Sequence, residues 1–313
     1  MGNYSKYLSI VKEKDMVDEE KVIASFVHEK DPSVDTKNIT RQKVPGFPYA
    51  EIWDNVFSED ECKEMIASLE KSGEFSFWNP GHSSKKSYRN VDTIEGNMYL
   101  LSKFIWERIK NIFNYHEFEI NENDSYSEED NIGKWKSIGI YEKMFFGRYR
   151  DGGHFGPHTD CSVCIDTNTR TLWTVLVYLN TIPEEGGGAT SFVDESQKTQ
   201  KRFIDESGRE RTNPNNVITR VQPRAGRIVT FFIADMHEGE PLCAGYTKYI
   251  LRTDILYRRV NPILTSEADQ RAYILWLKGK DLTYRGKMDE ANEIFKQVSE
   301  ISPELATKFN CLC

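Results

Sequence analysis

His158-Thr159-Asp160 and, much later, Asp235-Met236-His237-Glu238-Gly239 decide how this chain is read. One residue separates His158 from Asp160, so on an extended segment both side chains fall on one face, because strand side chains alternate. An imidazole and a carboxylate on one face, joined by His237 from a later strand, make a two-His-one-carboxylate facial triad. Such a triad holds Fe(II) at three adjacent corners and leaves positions open for a co-substrate and O2. The arrangement implies oxygen chemistry at a metal. Two competing patterns lie in the same stretch. His154 and His158 would suit zinc on a helix, but Gly152, Gly153 and Pro157 oppose a helix there. Cys161 and Cys164 have redox spacing, yet no second cysteine pair stands at zinc spacing and no thioredoxin-like context surrounds them, so they read as loop thiols.

Outward from these residues, the hydrophobic period after Ile138 is two. Strands are expected at Ile140–Tyr149, Leu172–Leu179, Ala189–Val193, Val217–Gln222, Arg227–Phe232 and Tyr246–Tyr257. Several short strands separated by Gly and Pro indicate a double-sheet β architecture. The connections at 180–188 and 194–216 would form its rim. Upstream, Ser58 begins a helix running to about Lys71, with Glu61 completing a capping box and Cys62, Met65, Ile66 and Leu69 on the buried face. A second helix is expected from Asn97 to Phe113, carrying Leu100, Leu101, Phe104, Ile105 and Ile109. Between them, Trp78 to Ser84 is a turn-rich loop, and residues 121–131 read as an acidic surface loop.

The ends differ from this middle. Residues 1–46 are charged, with one amphipathic helical stretch from Asp18 to Lys30 whose stripe is Val22, Ile23, Phe26 and Val27. From Ser266 the period returns to 3.6, and Leu275, Gly279, Leu282, Gly286, Ala291, Phe295, Val298 and Pro303 fit one tetratricopeptide-like helix pair. Such a unit cannot bury its own apolar face. It should pack on the β domain or pair with a second chain as a homodimer. The expected division is therefore an N-terminal segment, a β domain over 47–261, and a helical hairpin with a tail over 262–313.

Over 313 residues the formal net charge is -8. That balance argues against a nucleic-acid partner bound through a broad basic surface. Apolar content of 38% is ample for a core and too high for general disorder. No apolar run has the length of a membrane span, the N-terminus lacks a secretory h-region, and six scattered cysteines do not make a disulfide framework; a cytoplasmic, reducing location is expected. Gly2 opens like a myristoylation site, but Lys6 stands where Ser or Thr is needed. Cys311 and Cys313 are read as free thiols of a frayed tail, with lipidation the alternative.

With the strands placed, a family resemblance appears over about residues 48–259. Tyr149-Arg150-Asp151-Gly152-Gly153-His154-Phe155-Gly156-Pro157-His158-Thr159-Asp160 resembles the metal-binding segment of prolyl 4-hydroxylase-type 2-oxoglutarate, Fe(II)-dependent dioxygenases. Thr174 to Asn180 and Glu185 to Phe192 are similar to the family's next two strands. Pro223 to Arg227, His237 to Leu242 and Gly245 to Tyr249 resemble its last two. The resemblance implies a mainly β fold with flanking helices, a distorted double-stranded β-helix of the jelly-roll type. Residues 47–261 would be the dioxygenase domain, with His158, Asp160 and His237 holding iron in its open mouth. The implied cofactors are Fe(II), 2-oxoglutarate as co-substrate and O2, with ascorbate an optional addition.

2-Oxoglutarate chelates iron through its keto acid, and its far carboxylate needs a cation. By resemblance Lys248 takes that place, although a small insertion around Gly245-Tyr246-Thr247 departs from the family's spacing. Arg252, on the same strand face, is the rival, since its fork also suits a carboxylate. Tyr149, Thr174 and Tyr178 match positions that line the co-substrate pocket, with Leu176 as its apolar wall. Trp78, Arg89 and His154 are candidates to face the substrate. Three readings of function stay open: a protein or peptide hydroxylase acting on proline, a small-molecule oxygenase, and a non-catalytic jelly-roll binding module. The complete triad together with Lys248 disfavours the third, and fold alone does not separate the first two.

Overall fold

The computed structural model describes residues 16–23, 26, 38–78, 86–113 and 116–311. Most of the helix expected after Ile23, the loop over 79–84, Gly2 and Cys313 lie outside them. The elements that build the site are, in chain order, β1 (Phe47–Asp54), α1 (Glu59–Ser72), β2 (Arg89–Asn90), β3 (Asp92–Asn97), α2 (Tyr99–Phe113), β4 (Lys143–Arg150), β5 (His154–His158), β6 (Thr169–Tyr178), β7 (Thr190–Val193), β8 (Val217–Val221), β9 (Ile228–Phe232), β10 (His237–Gly239), β11 (Thr247–Arg259), α3 (Glu267–Tyr284), α4 (Met288–Ile301) and α5 (Pro303–Lys308). No described helix is long and apolar enough to cross a membrane.

Two antiparallel sheets form the β domain. The larger sets β3, β4, β11, β6, β9 and β1 side by side in that order, and the smaller sets β8, β7, β10, β5 and β2. The period of two sorts each large-sheet strand between two cores. Trp173, Val175 and Val177 of β6 join Trp135, Leu251 and Ile255 on the face covered by α1 and α2. Leu176 and Tyr178 point the other way, into the space between the sheets, with Tyr149, Val229 and Ile250. A strand buried on both faces needs apolar or β-branched residues at nearly every position, which is what Thr169–Tyr178 supplies. β1 and β3 were not evident as strands in the sequence. The sequence of β3 reads Asp-Thr-Ile-Glu-Gly-Asn, and only its pairing with β4 holds it extended.

The helices follow local rules. Ser58 accepts from the Glu61 amide while Glu61 reaches back to the Ser58 amide, closing the expected capping box. The Glu61 carboxylate also meets Arg108 of α2 at 2.5 Å, which fastens the two helices together. At the other end of the chain's order, a short helical segment precedes β1 at Glu19–Val22. Its Glu19 carboxylate is buried and accepts from the Leu100 and Leu101 amides at 2.9 and 2.8 Å. A remote acid thus satisfies amides left open at the start of α2.

At the C-terminus α3 and α4 form a helical hairpin, with Ser266 and Asp269 as a second capping box. Gly279 lets the Phe295 ring cross the helix closely; a Cβ there would stand 2.5 Å from it. Tyr273, Trp276, Val298, Leu305 and Phe309 make a third core. It is bound to the β domain by polar contacts. Asp130 accepts from Arg170 of β6 at 2.5 Å and from the Tyr273 hydroxyl at 2.6 Å, and Gln270 donates to Thr167 at 2.7 Å. Of the hairpin's apolar stripe, Ala291 is buried and Leu275 and Phe295 pack partly against this core.

Asp130 and Arg170 are both buried, so removing the acid leaves a buried guanidinium without its counter-charge. Asp130→Ala is expected to lower the unfolding free energy in urea by about 3–5 kcal/mol. Truncation after Asn261 should remove the third core and uncover Cys164, Arg170 and Asp130, giving aggregation or a clear fall in melting temperature.

Candidate metal and co-substrate site

β5 and β10 are neighbours in the small sheet, and their register sets His158 opposite His237. Directly opposed residues of an antiparallel pair project to the same side, and the two ring centroids are 4.2 Å apart. Asp160 follows two residues after His158 and is fixed by its own amide, which donates to the Ile233 carbonyl at 2.9 Å. His158 Nε2 lies 3.8 Å from Asp160 Oδ1, and His237 Nε2 lies 3.8 Å from Asp160 Oδ2. Among the described residues this is the one group of three or more His, Cys, Asp or Glu side chains arranged so that it could hold a metal.

The surroundings prepare these atoms for a cation. His158 Nδ1 is 2.8 Å from the Gly156 carbonyl and His237 Nδ1 is 2.9 Å from the Asp235 carbonyl. A carbonyl only accepts, so each Nδ1 carries the proton and each Nε2 presents a lone pair toward Asp160. Burial, reinforced by His237, holds the His158 imidazole well below its usual pKa, which favours the neutral ligand form. Burial would raise the Asp160 carboxyl, but the Arg252 charge, with the two imidazoles and the Thr174 hydroxyl beside it, outweighs burial and keeps the group ionised far down the pH scale. Thr174 donates to Asp160 Oδ2 at 2.5 Å, and Arg252 Nη2 lies 3.4 Å from Oδ1. The donor set of two neutral imidazoles and one oriented carboxylate suits Fe(II).

The other residues singled out in the sequence fall into distinct places. Lys248 is 3% exposed; its ammonium donates to the Gly188 carbonyl at 2.8 Å and lies 4.4 Å over the Tyr149 ring. It forms no ion pair with a carboxylate among the described residues. Burial lowers its pKa to about 8, partly opposed by the charge of Glu240. Gly188 makes this approach possible: at φ 69° it carries no side chain, and a Cβ would stand 2.8 Å from Leu242 and 3.5 Å from Lys248. Tyr149 faces Lys248 across the β4–β11 register, and its hydroxyl has no hydrogen-bond partner among the described residues. Leu176 is buried beside it in the inter-sheet core.

Four residues have partners that the sequence reading did not foresee. Thr174, expected to line the co-substrate pocket, spends its hydroxyl on Asp160. Tyr178 is fully buried and its hydroxyl is taken by Thr190 at 2.7 Å and the Val221 carbonyl at 3.4 Å. Arg252, the rival carboxylate anchor, sits 3.0 Å from Asp254 as well as beside Asp160, so its charge is already engaged. His154 does not face the cleft. A register shift between Phe155 and His158 breaks the parity of β5, and both His154 ring nitrogens meet backbone carbonyls, those of Gly152 and Ser87, at 3.0 and 2.9 Å. Arg89 and Trp78 stack at 4.3 Å. Cys161 and Cys164 form no disulfide with each other, and Cys164 accepts from Arg170 at 3.1 Å.

The sequence reading missed Thr190, Asp254 and Glu238. Thr190 follows the glycine triplet closely, a position where the chain must re-enter the sheet beside Lys248, and that adjacency was its only signal. Glu238 adjoins His237 and is buried; it accepts from Arg211 at 2.7 Å and from the Thr212 amide at 2.7 Å. It thereby ties the 194–216 rim to the strand that carries His237.

Residues 144–253 match the family model of the 2OG-Fe(II) oxygenase superfamily. No curated protein matches the chain. Among solved structures, the chain is similar to the viral collagen prolyl hydroxylase of Paramecium Bursaria Chlorella virus-1 in its 2OG complex, with 21% identity over 67% of this chain and 96% of that one and a TM-score of 0.39. It is similar to a Trichoplax adhaerens prolyl hydroxylase in complex with a hypoxia inducible factor peptide fragment, at 15% identity, 77% and 90% coverage and a TM-score of 0.43. It is also similar to HygX of Streptomyces hygroscopicus with nickel and 2-oxoglutarate bound, at 13% identity, 71% and 89% coverage and a TM-score of 0.39. These likenesses are distant, and the assignment rests on the matched segment and the chemistry of its donor set. Residues 144–253 thus match the 2OG-Fe(II) oxygenase superfamily and contain all three candidate metal ligands, so the chemistry this segment supports is that of a dioxygenase using Fe(II), 2-oxoglutarate and O2.

Proposed function

We propose that this dioxygenase hydroxylates an unactivated C–H bond of a protein or peptide, in the manner of prolyl 4-hydroxylases, with His158, Asp160 and His237 as iron ligands and Lys248 as the partner of the far 2-oxoglutarate carboxylate. The observation that carries the co-substrate assignment is the buried Lys248 ammonium, which has no carboxylate of its own. A charge held out of water is costly unless it is met, and a dicarboxylate ligand meets it. The Tyr149 ring covers one side of the ammonium and keeps water from competing. The peptide reading rests on the motif resemblance of residues 149–160 and 237–249. Its test is succinate release from the purified protein across a proline-containing peptide panel and a metabolite extract; turnover with the extract alone would assign a small-molecule substrate.

When bound, Fe(II) with 2-oxoglutarate and O2 supplies the oxidant that inserts oxygen into a C–H bond, leaving succinate and CO2. The chain's own part is positioning. The Gly156 and Asp235 carbonyls hold the two imidazoles in one tautomer, and Thr174 and Arg252 hold both oxygens of Asp160. Phe155, stacked on His158 at 3.6 Å, and Phe231, edge-on to His237 at 4.7 Å, wall the ligands with apolar surface. That surface excludes water from the reacting centre.

Replacing His237 by Ala should abolish metal uptake and succinate formation while leaving the melting temperature near normal. Thr174→Val removes only the donor to Asp160 and is expected to weaken Fe(II) or Mn(II) binding about 10–100-fold, measured by calorimetry. Lys248→Ala should raise the 2-oxoglutarate Michaelis constant by about two orders of magnitude or more, since it strands a buried carboxylate at a cost of roughly 3–5 kcal/mol. Arg252→Ala should instead act on the metal, through Asp160. Lys248 with a pKa of about 8 is cationic below that pH and neutral above it. Affinity for 2-oxoglutarate should therefore hold below pH 8 and fall toward about tenfold per pH unit above it, and Lys248→Arg should flatten that fall.

A further inference from the structure

Among the described residues, Arg89 is the site cation that the reading above leaves without a counter-charge. Its guanidinium lies 4.3 Å from the Trp78 ring, 4.9 Å from Phe145 and 4.3 Å from Phe155. Its Nε is buried and makes no hydrogen bond. Among the described residues the side chain forms no ion pair. Glu95 on β3 and the Tyr149 hydroxyl bear on it electrostatically, against burial and Arg252, which disfavour its charge. The group belongs to the site: Phe155, which it stacks on, also stacks on His158, and β2, which carries it, pairs Arg89 with Phe155 on β5.

Three rings supply no acceptor for the N–H groups, so a ligand or water has to meet them. The charges of the assembled site show what kind of ligand. Asp160 and the keto-acid carboxylate offset the metal, Lys248 offsets the far carboxylate, and Arg252 offsets Asp254. Arg89 remains. A planar guanidinium pairs best with a planar carboxylate, through two parallel hydrogen bonds. A partly buried, aromatic-lined position makes that pairing stronger than at the open surface.

We infer that Arg89, framed by Trp78, Phe145 and Phe155, is a substrate-carboxylate subsite, so that the enzyme prefers a substrate bearing a carboxylate close to the carbon it hydroxylates. The inference rests on the oxygenase reading of the site. The carboxylate has two possible sources, an acidic residue beside the target in a peptide or the carboxylate of a free amino acid, and both present the same chemistry to Arg89.

The full-length protein, loaded with Mn(II) and 2-oxoglutarate, is titrated calorimetrically with two matched pairs: capped Gly-Pro-Asp-Gly against capped Gly-Pro-Asn-Gly, and free L-proline against L-prolinamide. The carboxylate member of one pair is expected to bind at least about tenfold tighter, and the pair that shows the difference identifies the source. Arg89→Met should erase the difference, Arg89→Lys should retain part of it, and both should bind Mn(II) and 2-oxoglutarate as the wild type does. No preference in either pair, binding by neither, or a preference that survives in Arg89→Met overturns the assignment. Weakened 2-oxoglutarate binding in Arg89→Met overturns it by moving Arg89 to the co-substrate. A fall in the Arg89→Met melting temperature of more than about 5 °C overturns it too, by making the guanidinium a strut between rings. If the wild type takes up neither Mn(II) nor 2-oxoglutarate, the oxygenase reading itself fails, and this inference falls with it.

Discussion

The pairing of His154–His158 with His237–Gly239 is the constraint on which the site depends. Their antiparallel register sets His158 against His237, and the neighbouring strand Thr190–Val193 holds the far edge of the second. Once those two imidazoles face each other, Asp160 needs only its amide bond to Ile233 to close the triad. A shift of one residue would turn His237 to the opposite face and put Glu238 in its place. Glu238 resists that shift, because its buried carboxylate is held from the other side by Arg211 and the Thr212 amide.

Around this centre stand three cations, Lys248 buried and Arg252 and Arg89 partly buried, and the fold treats each differently. Arg252 is tied to Asp160 and Asp254. Burial raises the Asp254 carboxyl to about 7, against the pull of Arg252, so even this pairing is strained. Lys248 has a single carbonyl and a ring, and Arg89 has rings alone. Desolvated charges without counter-ions lower stability. They are tolerated here beside two large cores, and the places where local rules are broken coincide with the places where ligands are expected.

The outer layers secure the sheets that carry these groups. Glu19 caps the helix Tyr99–Phe113 from far upstream, and Asp130 locks the C-terminal helices to the central strand Thr169–Tyr178 through Arg170 and Tyr273. That strand also carries Thr174 and Leu176, so the C-terminal hairpin is packed against the back of a strand whose other residues serve the site.

What the sequence by itself determined were the features written in short-range order. The spacing of His158 and Asp160, the capping box at Ser58, and the alternating strands after Ile138 are all local, because a helix cap or a strand face is set within a few residues. The candidacy of Lys248 as the carboxylate's partner came only through resemblance, and its contact with the Gly188 carbonyl only from the structure. Tertiary structure decided the partners. Thr174 faces inward as its parity requires, yet whether its hydroxyl met a co-substrate or Asp160 depended on where a separate loop came to rest. Arg252 lost its candidacy for the same reason, since Asp160 and Asp254 converge on it only after the sheets close. His154 was misread because the bulge before His158 undoes strand parity. Arg89 shows the same limit from the other side: its lack of a counter-charge is a property of everything packed around it, and no stretch of sequence contains that.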